Sequence, residues 1–393
     1  MAVLTGKRYT REAVESSGKI ISRFDFTFDH KVTFNHFTFN DKPQVVIDFA
    51  DVTSLPSDEN IDDGLIAGVR YSRPKAAMMR VVFDMERMQP HSISVRENPF
   101  QVTICFSRTL LHVLHHDTIV QMEMEDYLAG VVSAEMPALF HKEALQAQAV
   151  AARSYTARRM KVLGGKGCRR HPEADICTSP GHCQAWMSRD QQQERWGKDY
   201  LIYKEKIDDA VRGTRWAVLL YQDRIADAVF HSTCGGKTED ASVIWGNKVA
   251  YLQSVPCKYD SHSPYFERKY TIEVSDLLKK TGANVSSEFY PAAPDGTPLL
   301  AKERVSPAHT VQAVRVGDNE FSGAQLRKLL ELPSQWFDWS LASVELKTKG
   351  FGHRVGMCQY GADGYAKIGW DWQKILKHYY SGVEIARIEE YET

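Results

Sequence analysis

Apolar residues recur in short runs between residues 20 and 107, several alternating with polar ones: ISRFDFTF, KVTFNHFTF, PQVVIDFADV, GLIAGVRYSR, MMRVVFDM and FQVTICF. The period of two, the β-branched and aromatic side chains and the turn residues between runs predict a small all-β domain. Residues 1–19 read as a polar leader, and residues 108–117 as a linker. From residue 118 the period lengthens. Leu128, Val131, Val132 and Glu135 fall at i, i+3, i+4 and i+7, on one face of a helix. After Pro137, the stretch Glu143 to Met160 is almost free of helix breakers, and its alanines at 144, 147, 149, 151 and 152 let a second helix lie close against neighbours, buried along much of its length. Further on come a charged helix-like segment from Arg189 to Ile207, strand-like WAVLLY and IADAVF, and helix-like VSDLLKK and FSGAQLRKLLEL. A Pro- and Gly-rich loop at 291–297 and a terminal helix from Trp372 to Tyr380 complete the pattern. The chain therefore reads as α+β, a β domain at 20–107 followed by a mixed α+β domain at 118–393.

Glu135 is the chemical centre of this pattern. A carboxylate on a core-seeking face is poorly solvated, and desolvation favours its protonated form, as an acid working near neutral pH requires. The plain alternative is a partly exposed Glu ending a helix. Against it, a negative charge in a last turn opposes the helix dipole, so stability is a weak reason to find it there.

With 43% hydrophobic and 25% charged residues, the chain is an ordinary globular protein with a sizeable core. Lys plus Arg number 49 against 50 for Asp plus Glu, so net charge suggests neither nucleic acid nor an anionic membrane as partner. No run of 18 apolar residues predicts a membrane span, and the first residues show no secretory signal, which leaves a trimmed mature form or a cytoplasmic protein as readings. Seven cysteines are too few for a disulfide scaffold. His112, His115 and His116 invite a metal, but their surroundings fit a strand or linker equally well.

After the loop signal Gly164–Gly167, the stretch CRRHPEADICTSPGHCQAW places His171, Cys177 and Cys183 six residues apart, with Cys168 and His182 beside them. Thiolates and imidazoles gathered in a short loop suit a tetrahedral zinc ion, although the spacing matches no finger or ribbon. Further on, the Gly235-Gly236 pair behind His231, Ser232, Thr233 and Cys234 predicts a tight turn exposing small polar groups. Gly350, Gly352, Gly356 and Gly361 frame a loop with His353 and Gln359 as hydrogen-bonding groups. Cys234 pairs with Cys257 as a disulfide if the protein is exported.

The run EDYLAGVVSAEMP followed by EALQAQAVAARSYT closely resembles the signature of the stage II sporulation protein D family, peptidoglycan lytic transglycosylases. HSTCGGKTEDASVIWG and GFGHRVGMCQYG extend the likeness over roughly residues 118–387. The resemblance implies that Glu135 is the catalytic acid. It implies a zinc ion held by His171, Cys177 and Cys183, with His182, Cys168 or water as fourth ligand, in a structural or substrate-positioning role. It also implies a sugar-binding surface from His231, Ser232, Thr233, Gly235, His353, Gln359 and Tyr360. Cys234 and Cys358 stand where the family more often has serine, and Arg354 where it has glycine. KPQVVIDFADV, GVRYS, RVVFDM and NPFQVTI resemble the AMIN domain, a β-sandwich of cell-envelope proteins, which implies localisation or peptidoglycan binding without catalysis.

The expected activity is non-hydrolytic cleavage of the bond from N-acetylmuramic acid to N-acetylglucosamine, with Glu135 as lone acid and base and a 1,6-anhydro product. The expected partners are glycan strands, with a cell-wall amidase acting beforehand, and the expected location is extracytoplasmic. The alternatives are a two-carboxylate hydrolase using Glu143 or Asp240, a non-catalytic wall-binding scaffold, and a zinc hydrolase.

Overall fold

A computed structural model describes the chain except for residues 15–18, 40–41, 87–88, 90, 284–298, 341–343 and 389–393. The loop expected at 291–297 lies outside the described residues. The chain divides into two compact units, Met1–Met124 and Glu125–Ile388.

The first unit is two antiparallel sheets enclosing one apolar core. In chain order its strands are β1 (Leu4–Val14), β2 (Lys19–Phe28), β3 (Phe34–Phe39), β4 (Gln44–Ala50), β5 (Glu59–Asn60), β6 (Gly68–Ser72), β7 (Met78–Asp84), β8 (His91–Arg96), β9 (Phe100–His115) and β10 (Thr118–Glu123). One sheet runs β3-β4-β7-β6-β5. In the other, β2 lies between β1 and β9, and the free edge of β9 pairs first with β8 and then with β10. Alternation buries Phe24, Phe26 and Phe28 with Val102, Ile104 and Phe106, against Val45, Ile47, Phe49, Val81 and Phe83 of the facing sheet.

Two expectations need correction here. Leu4–Val14 is a full strand, paired with β2 from Leu4 onward, where a polar leader was expected. Its side chains are mostly polar and its place is set by backbone pairing, so no apolar alternation advertised it. Residues 108–117 are no linker either: they form the second half of β9 and a hairpin into β10. His116 (φ 44°) and Asp117 (φ 62°) are the two residues between the paired His115 and Thr118, a left-handed tight turn made without glycine.

The second unit carries nine helices among the described residues: α1 (Met124–Glu135), α2 (Lys142–Ala157), α3 (Arg189–Trp196), α4 (Tyr200–Gly213), α5 (Ala241–Trp245), α6 (Val274–Thr281), α7 (Gly323–Leu329), α8 (Gln359–Lys367) and α9 (Trp372–Tyr379). The segment expected as one helix from Arg189 to Ile207 is two, because Gly197 at φ 50° ends α3. Every residue of α2 from Ala144 to Ala157 is buried. It packs on α4, α8, α9 and the strand Ala217–Tyr221. Its one buried cation, Arg153, forms a bidentate pair with Glu125 (3.0 and 2.6 Å) and also donates to the carbonyls of Ala217 and Val211. Two small three-stranded sheets, Arg268–Ile272/Val344–Lys349/Trp336–Ser340 and Leu300–Val305/Val311–Val316/Asn319–Ser322, share a separate core with α6 and α7. No helix among the described residues is long and apolar enough to cross a membrane.

Candidate active site around Glu135

Glu135 is the last residue of α1, beyond the fully buried Leu128, Val131 and Val132. It is half-buried itself. Burial pushes its pKa up, while hydrogen bonds from the Ala185 amide and the Gln359 side chain pull the other way and only partly offset it. The Ala185 N–H donates to Oε1 at 2.8 Å. The same stretch packs back on α1 through Trp186: a Cβ at Gly130 would come within 2.1 Å of the Trp186 indole nitrogen, so only glycine fits there. The Met187 amide donates to the Gly130 carbonyl at 3.2 Å.

Gln359 opens α8 and is almost fully buried; its side-chain nitrogen reaches Oε1 of Gln148 on α2 at 3.4 Å. It is held by a short parallel pairing in which Phe230 and His231 lie beside Met357 and Cys358. The Tyr360 amide donates to the Ser232 carbonyl at 3.1 Å. Three separated segments, around Ala185, Ser232 and Gln359, are thus tied to one another or to Glu135. Phe140 and Tyr360 meet edge to face at 4.8 Å, and Asp363, fully buried, accepts from the His141 amide, His262 and Lys367 to fix that corner.

The residues expected to bind sugar divide into two groups. Ser232, His353 and Tyr360 are partly exposed. His231, Thr233 and Gly235 are buried, because the turn at 235–236 closes inward rather than presenting its polar groups to solvent. Thr233 Oγ1 bonds Ser263 Oγ at 2.6 Å, His231 Nδ1 donates to the Val355 carbonyl at 3.0 Å, and Gly235, at φ 79°, donates its amide to Asp260 at 2.7 Å. His353 accepts from the Val355 amide at 3.1 Å, and burial draws its pKa down to about 4, so it is a neutral ring at working pH. Arg354, at φ 66°, turns its buried guanidinium onto the carbonyls of Cys234, Lys237 and Ala308 and onto Thr310, which explains how a non-glycine residue is held there.

Neither carboxylate considered as a second acid stands free. Glu143 accepts the Trp372 amide at the start of α9 (2.9 Å), and Asp240 caps α5 through the amide and hydroxyl of Ser242 (2.8 and 2.6 Å).

In the 168–183 loop the donors that converge are Cys168, Cys177, His182 and Cys183, their ligand atoms within 4.8 Å of one another. Cys183 and Cys168 sulfurs are 3.6 Å apart, and His182 Nδ1 lies 3.3 Å from Cys177 and 3.7 Å from Cys168. A tetrahedral ion with metal–sulfur bonds of about 2.3 Å has ligand edges of about 3.8 Å, so this donor set fits a metal ion. His171 is not among the four: its Nδ1 lies 3.7 Å from Glu173, and its ring stands beside the cluster, 5.4 Å from that of His182. The hydrogen bond from Cys183 draws the Cys177 thiol down to about 5 and pushes that of Cys183 up. The expected Cys234–Cys257 disulfide is absent, and all seven cysteines are free thiols. Sequence reasoning missed Gln148, Ala185 and Asp260; the only trace was an unpaired-looking Gln in an alanine-rich helix.

An α+β chain with a β-sandwich unit and a poorly solvated acid at a helix end, Glu135, defines the class. The family model described as stage II sporulation protein matches residues 115–221, and the AMIN domain matches residues 12–105. Stage II sporulation protein D of Bacillus amyloliquefaciens is 32% identical over 300 residues, covering 76% of this chain and 82% of the relative. The protein of that name from Bacillus subtilis (strain 168) is 32% identical over 279 residues, 70% of this chain and 78% of the relative. The amidase enhancer of the same strain is 26% identical over 309 residues, 66% of this chain and 40% of the relative. The chain belongs to the stage II sporulation protein D family, with an AMIN domain in its first unit, and its function is cell-wall-related.

Proposed function

We propose that the chain is a lytic transglycosylase of peptidoglycan glycan strands, with Glu135 as its lone general acid and base. The observation that carries this is the environment of Glu135: a half-buried carboxyl with a raised pKa, next to two hydrogen-bond donors and with both candidate second carboxylates committed to helix starts. Protonated Glu135 gives its proton to the glycosidic oxygen as the bond from muramoyl C1 breaks. The resulting carboxylate takes the proton of the C6 hydroxyl as that oxygen closes on C1, leaving a 1,6-anhydro end and a returned acid. No water is consumed, so one carboxyl serves both halves. A two-carboxylate hydrolase would need a second carboxylate facing the sugar, as base to a water or as nucleophile at C1, and Glu143 and Asp240 are instead engaged with backbone amides at helix starts.

Ser232 and Tyr360, partly exposed beside Gln359, are the hydrogen-bonding groups for the sugar, and His353 contributes a neutral ring. Cys168, Cys177, His182 and Cys183 would hold zinc, which supplies a fixed point for the loop that carries Ala185. The AMIN domain is the wall-binding module, the protein works outside the cytoplasm, and a cell-wall amidase supplies stripped strands.

The test is digestion of purified glycan strands by wild type and Glu135→Gln in water labelled with heavy oxygen. Anhydro ends without incorporated oxygen, lost in the variant, are expected. Reducing ends carrying heavy oxygen would sink the reading, and strand binding with no cleavage by wild type would favour the scaffold.

A further inference from the structure

We propose that Cys234, Cys257, Asp260 and Cys358 form a second metal site, for a thiophilic divalent ion of the zinc class, that fastens together the segments around Ser232 and Gln359. The four ligand atoms lie within 4.8 Å of one another. Asp260 Oδ2 is 3.2 Å from the Cys234 sulfur and 3.8 Å from that of Cys358, on the scale of tetrahedral ligand edges. All four residues are fully buried.

The environment contains a vacancy of bonding. Asp260 Oδ2 accepts the amides of Gly235 and Gly236 at 2.7 and 3.3 Å, yet Oδ1 is buried with no hydrogen-bond partner among the described residues. A carboxylate left half-satisfied in a closed interior is costly, and a cation held at its Oδ2, on the side of the sulfurs, offsets the cost of burying it. Donor groups already face two of the sulfurs, and a cation stands next to the third residue. The Gly361 amide donates to Cys358 Sγ at 3.3 Å, the Tyr379 hydroxyl lies 3.0 Å from Cys257 Sγ, and Arg354 brings a full positive charge onto the Cys234 carbonyl at 2.8 Å. Binding releases the thiol protons to solvent and leaves three thiolates and one carboxylate on the ion.

A disulfide accounts for less. It would join two of three sulfurs and leave the third, with Asp260, unexplained. The cluster shares no residue with the one in the 168–183 loop.

The test is metal stoichiometry of the purified full chain, which does not depend on the transglycosylase reading because it measures binding and not cleavage. Titration of the metal-free protein with Co²⁺ is expected to give two tetrahedral, thiolate-bound equivalents, and Zn²⁺ should displace both. Cys177→Ser/Cys183→Ser should keep one, and Cys234→Ser/Cys358→Ser should keep the other. Asp260→Asn should weaken the second equivalent by about 10-fold or more, as the loss of a ligand or its orienting partner does. The wild-type titration needs no variant to fold: a single equivalent, lost in Cys177→Ser/Cys183→Ser, overturns the proposal. So does alkylation of the denatured, unreduced chain that finds two of Cys234, Cys257 and Cys358 joined.

Discussion

The Ala185 amide donates to Glu135 Oε1 at 2.8 Å, and Ala185 stands two residues beyond Cys183 of the Cys₃His cluster. Gln359, the other side chain acting on the acid, stands one residue beyond Cys358. The proton affinity of Glu135 is thus set by groups whose places depend on loops gathered around sulfur, and this makes the site testable at several separate points.

Glu135→Gln should lower the cleavage rate about 10³-fold, within the range general acid–base catalysis supplies. The same change should stabilise the protein at neutral pH. A group whose folded pKa is raised contributes stability in acid and loses it as pH rises through the folded value. The variant lacks that loss, so its Tm should exceed the wild type's at pH 7 and the difference should close toward pH 4, read from melts across that range.

Gln359→Leu removes a donor that favours the charged form while burial remains. The alkaline limb of the pH–rate profile should therefore move to higher pH. An unmoved limb would separate Gln359 from the acid's titration.

Gly130→Ala should cost about 1–3 kcal/mol, as an overpacked interior site does, and should lower activity further by displacing Trp186 and its neighbour Ala185. Denaturant midpoints and cleavage rates on the same preparation check both parts.

Arg153→Met leaves Glu125 without its bidentate partner and should cost about 3–5 kcal/mol. Adding Glu125→Gln should recover part of that, measured by equilibrium unfolding.

Removing metal with a chelator should lower Tm and activity together, and added Zn²⁺ should restore both. Full activity in a protein shown to be metal-free would leave the 168–183 cluster without a part in cleavage.

The helices that carry the site were legible because their periodicity is strong: Leu128, Val131 and Val132 predict the face that delivers Glu135, and the alanines predict a buried α2. What stayed hidden depends on direction rather than periodicity. Whether Cys168 or His171 joins the thiols turns on a few ångströms, since both lie beside His182 and no spacing along the chain separates them. Whether Thr233 and Gly235 face substrate or interior is decided by Asp260 and Ser263, residues far along the chain that no local pattern marks. The strand Leu4–Val14 was invisible for a different reason, since its polar side chains leave only the backbone to define it.

The burial of α2 bears on how much chain is needed before any of this exists. Sixteen-residue helices are marginal in water, and alanine side chains bury little area apiece. The cover that α2 requires is shared between α4 and the strand Ala217–Tyr221, which follow soon after it, and α8 and α9 near the end of the chain, which also make the Gln148–Gln359 and Glu143–Trp372 contacts. The family match stops at residue 221, and a fragment cut there would keep α4 and the strand but lose α8 and α9, so it should be less stable and more open to protease than the full chain. During synthesis Glu135 leaves the ribosome long before Gln359, the later of the two groups that act on it, so its acidity takes its final value only when the end of the chain has docked.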